Sequence, residues 1–296
     1  MCGPRIEKGT RALNFADRIK KHSPQFTPAE HRIADVLFSS NLLGGLDTVA
    51  KLAERARVSG PTVLRFASKL GFDSFPDMQG FLRDDIQNRL ASPLDLYGRQ
   101  SSQTGKNTLC TEAADIFSDG IKRTLERIDT QTLEKVADLL SDSSHAVYLV
   151  GGRFTHHLAE ILWGHLHQLR PRAYILRTGV VSPRDHLVDI GRRDVLVVFD
   201  MRRYQEDIVE LAEFAKLRRA TVILVTDPLL SPIARVANQV LTCDLDAPSP
   251  YDSLVPMMAV LELLVAAVTT AAGEKGRQRI VEIEQLRHFG ETNSAS

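Results

Sequence analysis

Apolar side chains recur at helical spacing through the first ninety residues, in short stretches separated by turn signals. Thr27-Pro28-Ala29-Glu30 reads as a helix start: Thr27 can cap, Pro28 suits the first helical position and Glu30 can close a capping box. Ile33, Ala34 and Leu37 then follow on one face. After Gly44-Gly45, either Asp47 or Thr48 can cap a second short helix with Val49, Leu52, Ala53 and Ala56 inward. Past a tight turn, Ser59 can cap a third helix running to Leu70 and stopped by Gly71.

The pattern changes after residue 107. Residues 146–151, 173–176, 195–199, 221–225 and 239–242 are short runs rich in β-branched residues, and helical stretches such as 157–169 and 208–217 separate them. Their apolarity is continuous rather than alternating, which predicts strands buried on both faces. The fold class expected is therefore an all-α helix-turn-helix N-terminal domain followed by an α/β domain with a five-stranded parallel sheet flanked by helices. Ligands in such sheets sit beyond the carboxyl ends of the strands, so the loops beginning at Gly151, Arg177, Asp200 and Thr226 are the candidate site. The expected divisions are a helical domain at 1–90, a Ser, Gln, Gly and Pro-containing linker at 91–107, the α/β domain at 108–273 and a polar tail at 274–296.

Charge sharpens this division. The chain of 296 residues carries 37 Lys+Arg and 37 Asp+Glu. Residues 1–90 hold 14 of the bases and 10 of the acids, a surplus of 4, which leaves 23 against 27 for the remainder. A basic helical part beside an acidic α/β part suits an anionic partner for the former. The three cysteines, Cys2, Cys110 and Cys243, are widely spaced and form no C-x-x-C, which excludes a disulfide framework and a cysteine zinc site and fits a reducing cytoplasm. The N-terminal residues lack an apolar signal core. The most apolar stretch, 257–272, contains Glu262 and falls short of the ~20 residues that span a bilayer, so no membrane is expected.

Two short helices joined by a three-residue turn form a helix-turn-helix pattern. In the third helix Val63, Phe66, Ala67 and Leu70 take the core side. Ser59, Gly60, Pro61 and Thr62 then stand at the helix start, where base edges are reached, and Arg65 suits guanine or phosphate. Lys69, Lys51, Arg55 and Arg57 are placed as phosphate contacts, which position without specifying. The plainer alternative is a small helical interaction domain with a solvated charged face.

The stretch FTPAEHRIADVLFSS, followed by VAKLAERARVSGPTVLRFASKLGFDSF, resembles the N-terminal helix-turn-helix domain of the RpiR/MurR family of bacterial transcriptional regulators. The most specific part spans residues 52–72, and the likeness covers about residues 15–90. Arg57 stands where the family commonly has glycine, and a left-handed residue there would cost about 1 kcal/mol. Either the turn differs, or Arg57 is retained as a phosphate contact.

The resemblance implies a C-terminal SIS (sugar isomerase) domain, in agreement with the α/β pattern. Domains of this kind resemble phosphosugar binders, with a first loop near G-x-G-x-S and a third-strand loop near S-x-S-G-x-T that wrap a phosphate. This chain departs at both. Its first loop reads Gly151-Gly152-Arg153-Phe154-Thr155, with arginine at the second glycine. Its third-strand loop reads Asp200-Met201-Arg202-Arg203-Tyr204-Gln205-Glu206-Asp207, with Asp200, Arg202, Arg203 and Gln205 at the four defining positions. The expectation is an anionic effector gripped by Arg153, Arg202 and Arg203 rather than by hydroxyls. The alternative is that these arginines pair with Asp200, Glu206 or Asp207, or make dimer contacts.

Ser231 reads as a helix cap ahead of a ligand contact, and the stretch 249–253 leads into an apolar helix suited to core packing or a dimer interface. His156, His157, His165 and His167 lack the i, i+4 pairing of a metal-binding helix, so neither metal nor cofactor is expected. The leading function is a regulator that binds operator DNA as a homodimer or tetramer and answers a small anionic, sugar-like or carboxylate metabolite. The alternatives are an architectural DNA-binding protein with a purely dimerising α/β domain, and a sugar-phosphate isomerase using Glu160 or His186 as base.

Overall fold

The structure, a computed structural model, describes residues 15–39, 43–90, 109–177 and 182–293. The chain divides into two compact units between residues 91 and 92. The stretch expected as a linker, 91–107, lies outside the described residues.

The first unit contains α1 (Phe15–His22), α2 (Pro28–Ser39), α3 (Val49–Ala56), α4 (Gly60–Lys69) and α5 (Phe75–Leu90). Phe15, Ile19, Ile33, Leu37, Leu52, Val63, Phe66, Leu70, Met78 and Leu82 close its core, each at most 1% exposed. The capping box at α2 is reciprocal: the Thr27 N–H donates to Glu30 Oε2 at 2.7 Å and the Glu30 N–H to Thr27 Oγ1 at 3.3 Å. Thr48, rather than Asp47, caps α3 by accepting the Lys51 N–H.

Arg57 ends α3 in the left-handed region, φ 51 and ψ 51. The Val58 N–H reaches Ala53 O at 2.9 Å and the Arg57 N–H reaches Glu54 O at 3.1 Å, the paired bonds of a Schellman end. Gly71, φ 84, closes α4 in the same way through Phe72 and its own N–H. The turn between α3 and α4 therefore keeps the geometry glycine would favour, with arginine bearing the strain.

The second unit opens with α6 (Leu109–Glu126) and α7 (Thr130–Ser141). It continues through β1 (Val147–Gly151), α8 (His156–Leu169), β2 (Ala173–Ile175), β3 (Val195–Phe199), α9 (Glu206–Leu217), β4 (Thr221–Thr226), β5 (Gln239–Thr242) and α10 (Val255–Asn293). The five strands are all parallel, in the order β2-β1-β3-β4-β5. This is the fold class expected from the sequence. The strand runs match to within a residue or so; β2 is the shortest, and β4 extends to Thr226.

Alternate residues of each strand feed two cores. Val147, Leu149, Val195, Val197, Ile223 and Val225 meet α7, α8 and α10 on one face. Tyr148, Val150, Leu196, Val198, Val222 and Leu224 meet α9 on the other. Both sets are apolar, which is why the runs showed no alternation. Val260, Leu261, Leu264 and Val268 of α10 are fully buried in the first of these cores, so the most apolar stretch serves as a core helix. Gly273, with φ 53 and ψ −136, breaks α10.

Arg170 is 1% exposed and donates to the carbonyls of Leu140, Pro171 and His145. Burial pushes its pKa down to about 10. It satisfies carbonyls where α7 ends and β1 begins, so this buried cation does structural work.

Arg57→Gly is expected to raise the unfolding free energy by about 1 kcal/mol, because glycine adopts φ near +50° without Cβ strain. Urea unfolding of the variant checks this; a loss of stability would show that the arginine side chain contributes more than its backbone costs.

Candidate DNA-reading face and effector cleft

In the first unit, α3 and α4 set out the side chains on either side of the Schellman turn. Val63, Phe66 and Ala67 fix the inward phase of α4, so Pro61, Leu64, Arg65 and Ser68 form the exposed stripe. Ser59 is the N-cap residue but makes no cap bond. Its hydroxyl instead shares a 2.8 Å hydrogen bond with that of Thr62, to which Arg65 Nη2 donates at 3.5 Å. Ser59, Thr62 and Arg65 are thus one connected polar group, with Gly60 and Pro61 beside it.

The other predicted bases differ from one another. Lys51 and Arg57 are exposed. Arg55 pairs with Asp47 at 2.7 Å and remains half exposed. Lys69 is turned inward on its own domain: its ammonium donates to Gln25 O at 2.6 Å and to Glu30 Oε2 at 2.8 Å. Burial works against the Glu30 carboxylate, but the hydrogen bonds from Lys69 and Thr27 outweigh it and hold its pKa low. Lys69 therefore ties α4 to α2. Leu64, 47% exposed on the outward stripe, was missed by the sequence reading although its phase was available there.

In the second unit, β1 and β3 are neighbours with Gly151 paired to Phe199. Their following loops leave in register and flank a cleft of about 330 Å³ lined by Gly152, Arg153, Phe154, Thr155, Asp200, Met201, Arg202, Arg203 and Gln205. Strand order reverses here, which is where open α/β sheets hold ligands. Gly151 is needed for close approach, since a methyl there would meet the Thr155 backbone at 2.5 Å, whereas one on Gly152 would meet the Gln205 side chain, Oε1 at 2.5 Å. Thr155 is buried and joins the two loops, its hydroxyl donating to Phe199 O at 2.6 Å and accepting the Gly152 N–H at 2.8 Å.

The electrostatics are those of a site already balanced within itself. Arg202 and Arg203 both pair with Asp252, whose carboxylate is 1% exposed, the Arg203 contact being 3.0 Å. None of the acids suggested by local spacing is that partner. Asp252 lies in the segment between β5 and α10, so its role depends on the fold. Arg153 lies over the Phe154 ring at 5.5 Å, and Phe154 is 54% exposed.

Asp200 is buried beneath the cleft. Burial pushes its pKa up from 3.8 to about 6, against the Ser231 hydroxyl bond and the Gln205 N–H that favour the charged form. Ser231 also caps the short 3-10 helix Pro232–Arg235 by accepting the Ile233 N–H. Burial raises Asp227 too, although Leu229 N–H and the Tyr204 hydroxyl, 3.1 Å from Oδ1, hold it down in part. Tyr204 is thus directed at Asp227. Met201 and Asp252 are the residues of this site that the sequence reading did not identify.

Glu160 on α8 is occupied by Arg177 at 2.9 Å and by His156 and His157. Among the described residues no three His, Cys, Asp or Glu side chains converge as a metal site.

The family models agree with both units. Residues 13–89 match the helix-turn-helix domain of the rpiR family, and residues 139–267 match the SIS domain. The chain belongs to the RpiR family of transcriptional regulators. This RpiR-family regulator is 23% identical over 279 residues to the HTH-type transcriptional regulator HexR of Escherichia coli K12, covering 92% of this chain and 94% of that one. It is 24% identical over 276 residues to HexR of Pseudomonas aeruginosa, covering 88% and 90%. Among solved structures, the fold resembles the sugar isomerase domain of an RpiR transcription factor from Sphaerobacter thermophilus, with TM-score 0.56, 22% identity and coverage of 60% of this chain and 99% of that one. It also resembles the Vibrio vulnificus NanR protein complexed with ManNAc-6P, with TM-score 0.54, 15% identity and coverage of 92% and 98%. The rpiR helix-turn-helix match and the relatives named as transcriptional regulators support a DNA-binding regulator rather than an isomerase.

Two outcomes test the electrostatics of the cleft. Asp252→Asn, which strands two cations, is expected to lower unfolding free energy by on the order of 2 kcal/mol, less than a fully buried pair because Arg203 is partly solvated. An unchanged urea midpoint would show that solvent replaces the carboxylate. For Asp200 the folded pKa lies above the unfolded one, so its stabilising contribution is complete below pH ~4 and is lost as pH rises to ~6. Wild type should therefore lose on the order of 3 kcal/mol relative to Asp200→Asn across that window. Parallel pH profiles for the two proteins would count against the raised pKa.

Proposed function

We propose that this regulator reads operator DNA with the exposed stripe of α4 and senses a small anionic metabolite in the cleft between the β1 and β3 loops. The observation that carries the sensing half is the convergence of Arg153, Arg202 and Arg203 on one cleft at the strand-order reversal. The NanR protein, a fold neighbour complexed with ManNAc-6P, supports a sugar-like anion, and a carboxylate fits the same planar guanidinium donors.

In the reading half, Ser59, Gly60, Pro61, Thr62 and Arg65 face the bases, while Lys51, Arg55 and Arg57 meet phosphates. Lys69 contributes through the domain's own structure. Leu64 adds an apolar surface suited to a thymine methyl. The protein acts in the cytoplasm as a homodimer or tetramer, and a symmetric dimer would read half-sites about 34–36 Å apart or multiples of that. The effector shifts operator affinity through its differential affinity for two states of the protein.

Small molecules retained by the natively purified protein, identified by mass spectrometry, are to be titrated into an operator-binding assay. One of them should change operator affinity by about 5–150-fold, and the paired change Arg202→Ala with Arg203→Ala should abolish that response. An unchanged response in the double variant removes the arginines from the effector site. No response to any retained metabolite would favour a purely dimerising α/β domain.

On the DNA side, Arg65→Ala should cost about 1–3 kcal/mol at one base position if its contact is two-pronged. Lys51→Ala should weaken all sequences alike and reduce the salt slope by about 1. Equal affinity and base preference for Arg65→Ala would withdraw it from base reading.

A further inference from the structure

Gln205 is the N-cap residue of α9, with φ −86 and ψ 124, yet its side chain makes no hydrogen bond to its own helix. It reaches across the cleft instead. Gln205 Oε1 accepts the backbone N–H of Arg153 at 2.5 Å, and the same oxygen lies 2.5 Å from where a Gly152 methyl would stand. The carboxamide oxygen therefore sits against the backbone of the first loop, in the space that a Gly152 side chain would otherwise take. Its main chain is held in place from below, because Asp200 accepts the Gln205 N–H and Asp200 is in turn held by Ser231 at 2.5 Å. An oxygen of this chain thus occupies a backbone donor inside the cleft that lies next to three arginines.

We propose that Gln205 is an internal stand-in for the effector's anionic oxygen, and that the effector binds by displacing it. This rests on the reading of the cleft as the effector site and adds what selects the ligand. A neutral carboxamide oxygen is a weaker acceptor than a carboxylate or phosphate oxygen, since charge-assisted bonds are roughly twice as strong. A charged oxyanion wins the exchange, whereas the hydroxyl of an uncharged sugar gains little over the amide it replaces. Gln205 therefore sets a threshold: it disfavours neutral ligands and lowers the affinity for every anion by the bond that must first be broken. The glutamine side chain, having no cap bond to lose, can swing away without unravelling α9.

The test uses inorganic phosphate as probe, titrated calorimetrically into the full-length wild type, Gln205→Ala, Gln205→Ser and Gln205→Glu. Removing the stand-in should raise phosphate affinity by about tenfold in both Gln205→Ala and Gln205→Ser, the serine variant keeping a good N-cap residue. Gln205→Glu should lower it by at least as much, since a fixed negative charge then holds the donor. Unchanged circular dichroism and urea midpoints confirm that the variants are folded. Phosphate affinity in Gln205→Ala and Gln205→Ser equal to or weaker than wild type, or undetectable in both, overturns the proposal. If that occurs while the Arg202 and Arg203 variants still abolish the effector response, the stand-in fails and the effector cleft stands. If neither the arginine nor the Gln205 variants alter the effector response, the cleft is not the sensor and the proposal falls with it.

Discussion

The α/β half depends on β1 and β3 lying side by side with Gly151 opposite Phe199. Five parallel strands buried on both faces must all end at the same edge of the sheet, and the chain leaves that edge by loops rather than hairpins. Because β2 lies on one side of β1 and β3 on the other, the loops after β1 and β3 diverge toward opposite faces. The crevice between them follows from connectivity. The Thr155 hydroxyl joins the two loops, and Gly151 and Gly152 leave room for the Thr155 backbone and the Gln205 side chain.

What fills that crevice is chemistry the chain already holds in balance. Asp252 neutralises two arginines, Gln205 covers a backbone donor, and Asp200 anchors both Ser231 and the start of α9. Each is a polar group with a partner, as buried polar groups must be. Under the proposed function, ligand binding in such a site is an exchange of partners. Its free energy is a difference between bonds of similar kind, which makes the charge of the ligand decisive. The same arrangement links the cleft to distant parts of the chain, since Asp252 directly precedes α10, the core helix on which α7 and α8 pack.

The helical half rests on a different constraint. A three-residue turn between α3 and α4 requires one residue in the left-handed region, and this chain supplies arginine. A side chain kept there despite its backbone cost is exposed beside α4. Lys69 shows the opposite outcome, a base on the same helix that serves the fold by satisfying Glu30 and Gln25 O.

The sequence alone determined the helix and strand runs, the parallel sheet, the capping box at Thr27 and Glu30, and the phase of α4. These depend on periodicity and on contacts within a few residues, which local spacing records. It also located the two loops that line the cleft, because the carboxyl ends of parallel strands are fixed by chain direction. Only the tertiary structure decided the partners. Arg203 and Asp252 are 49 residues apart, Lys69 and Glu30 are 39 apart, and Arg153 and Gln205 are 52 apart. Nothing in the spacing of a charged residue says which distant carboxylate or amide will be folded against it. That choice separates an arginine free to grip an anion from one already paired, since it is set by how the sheet and helices pack.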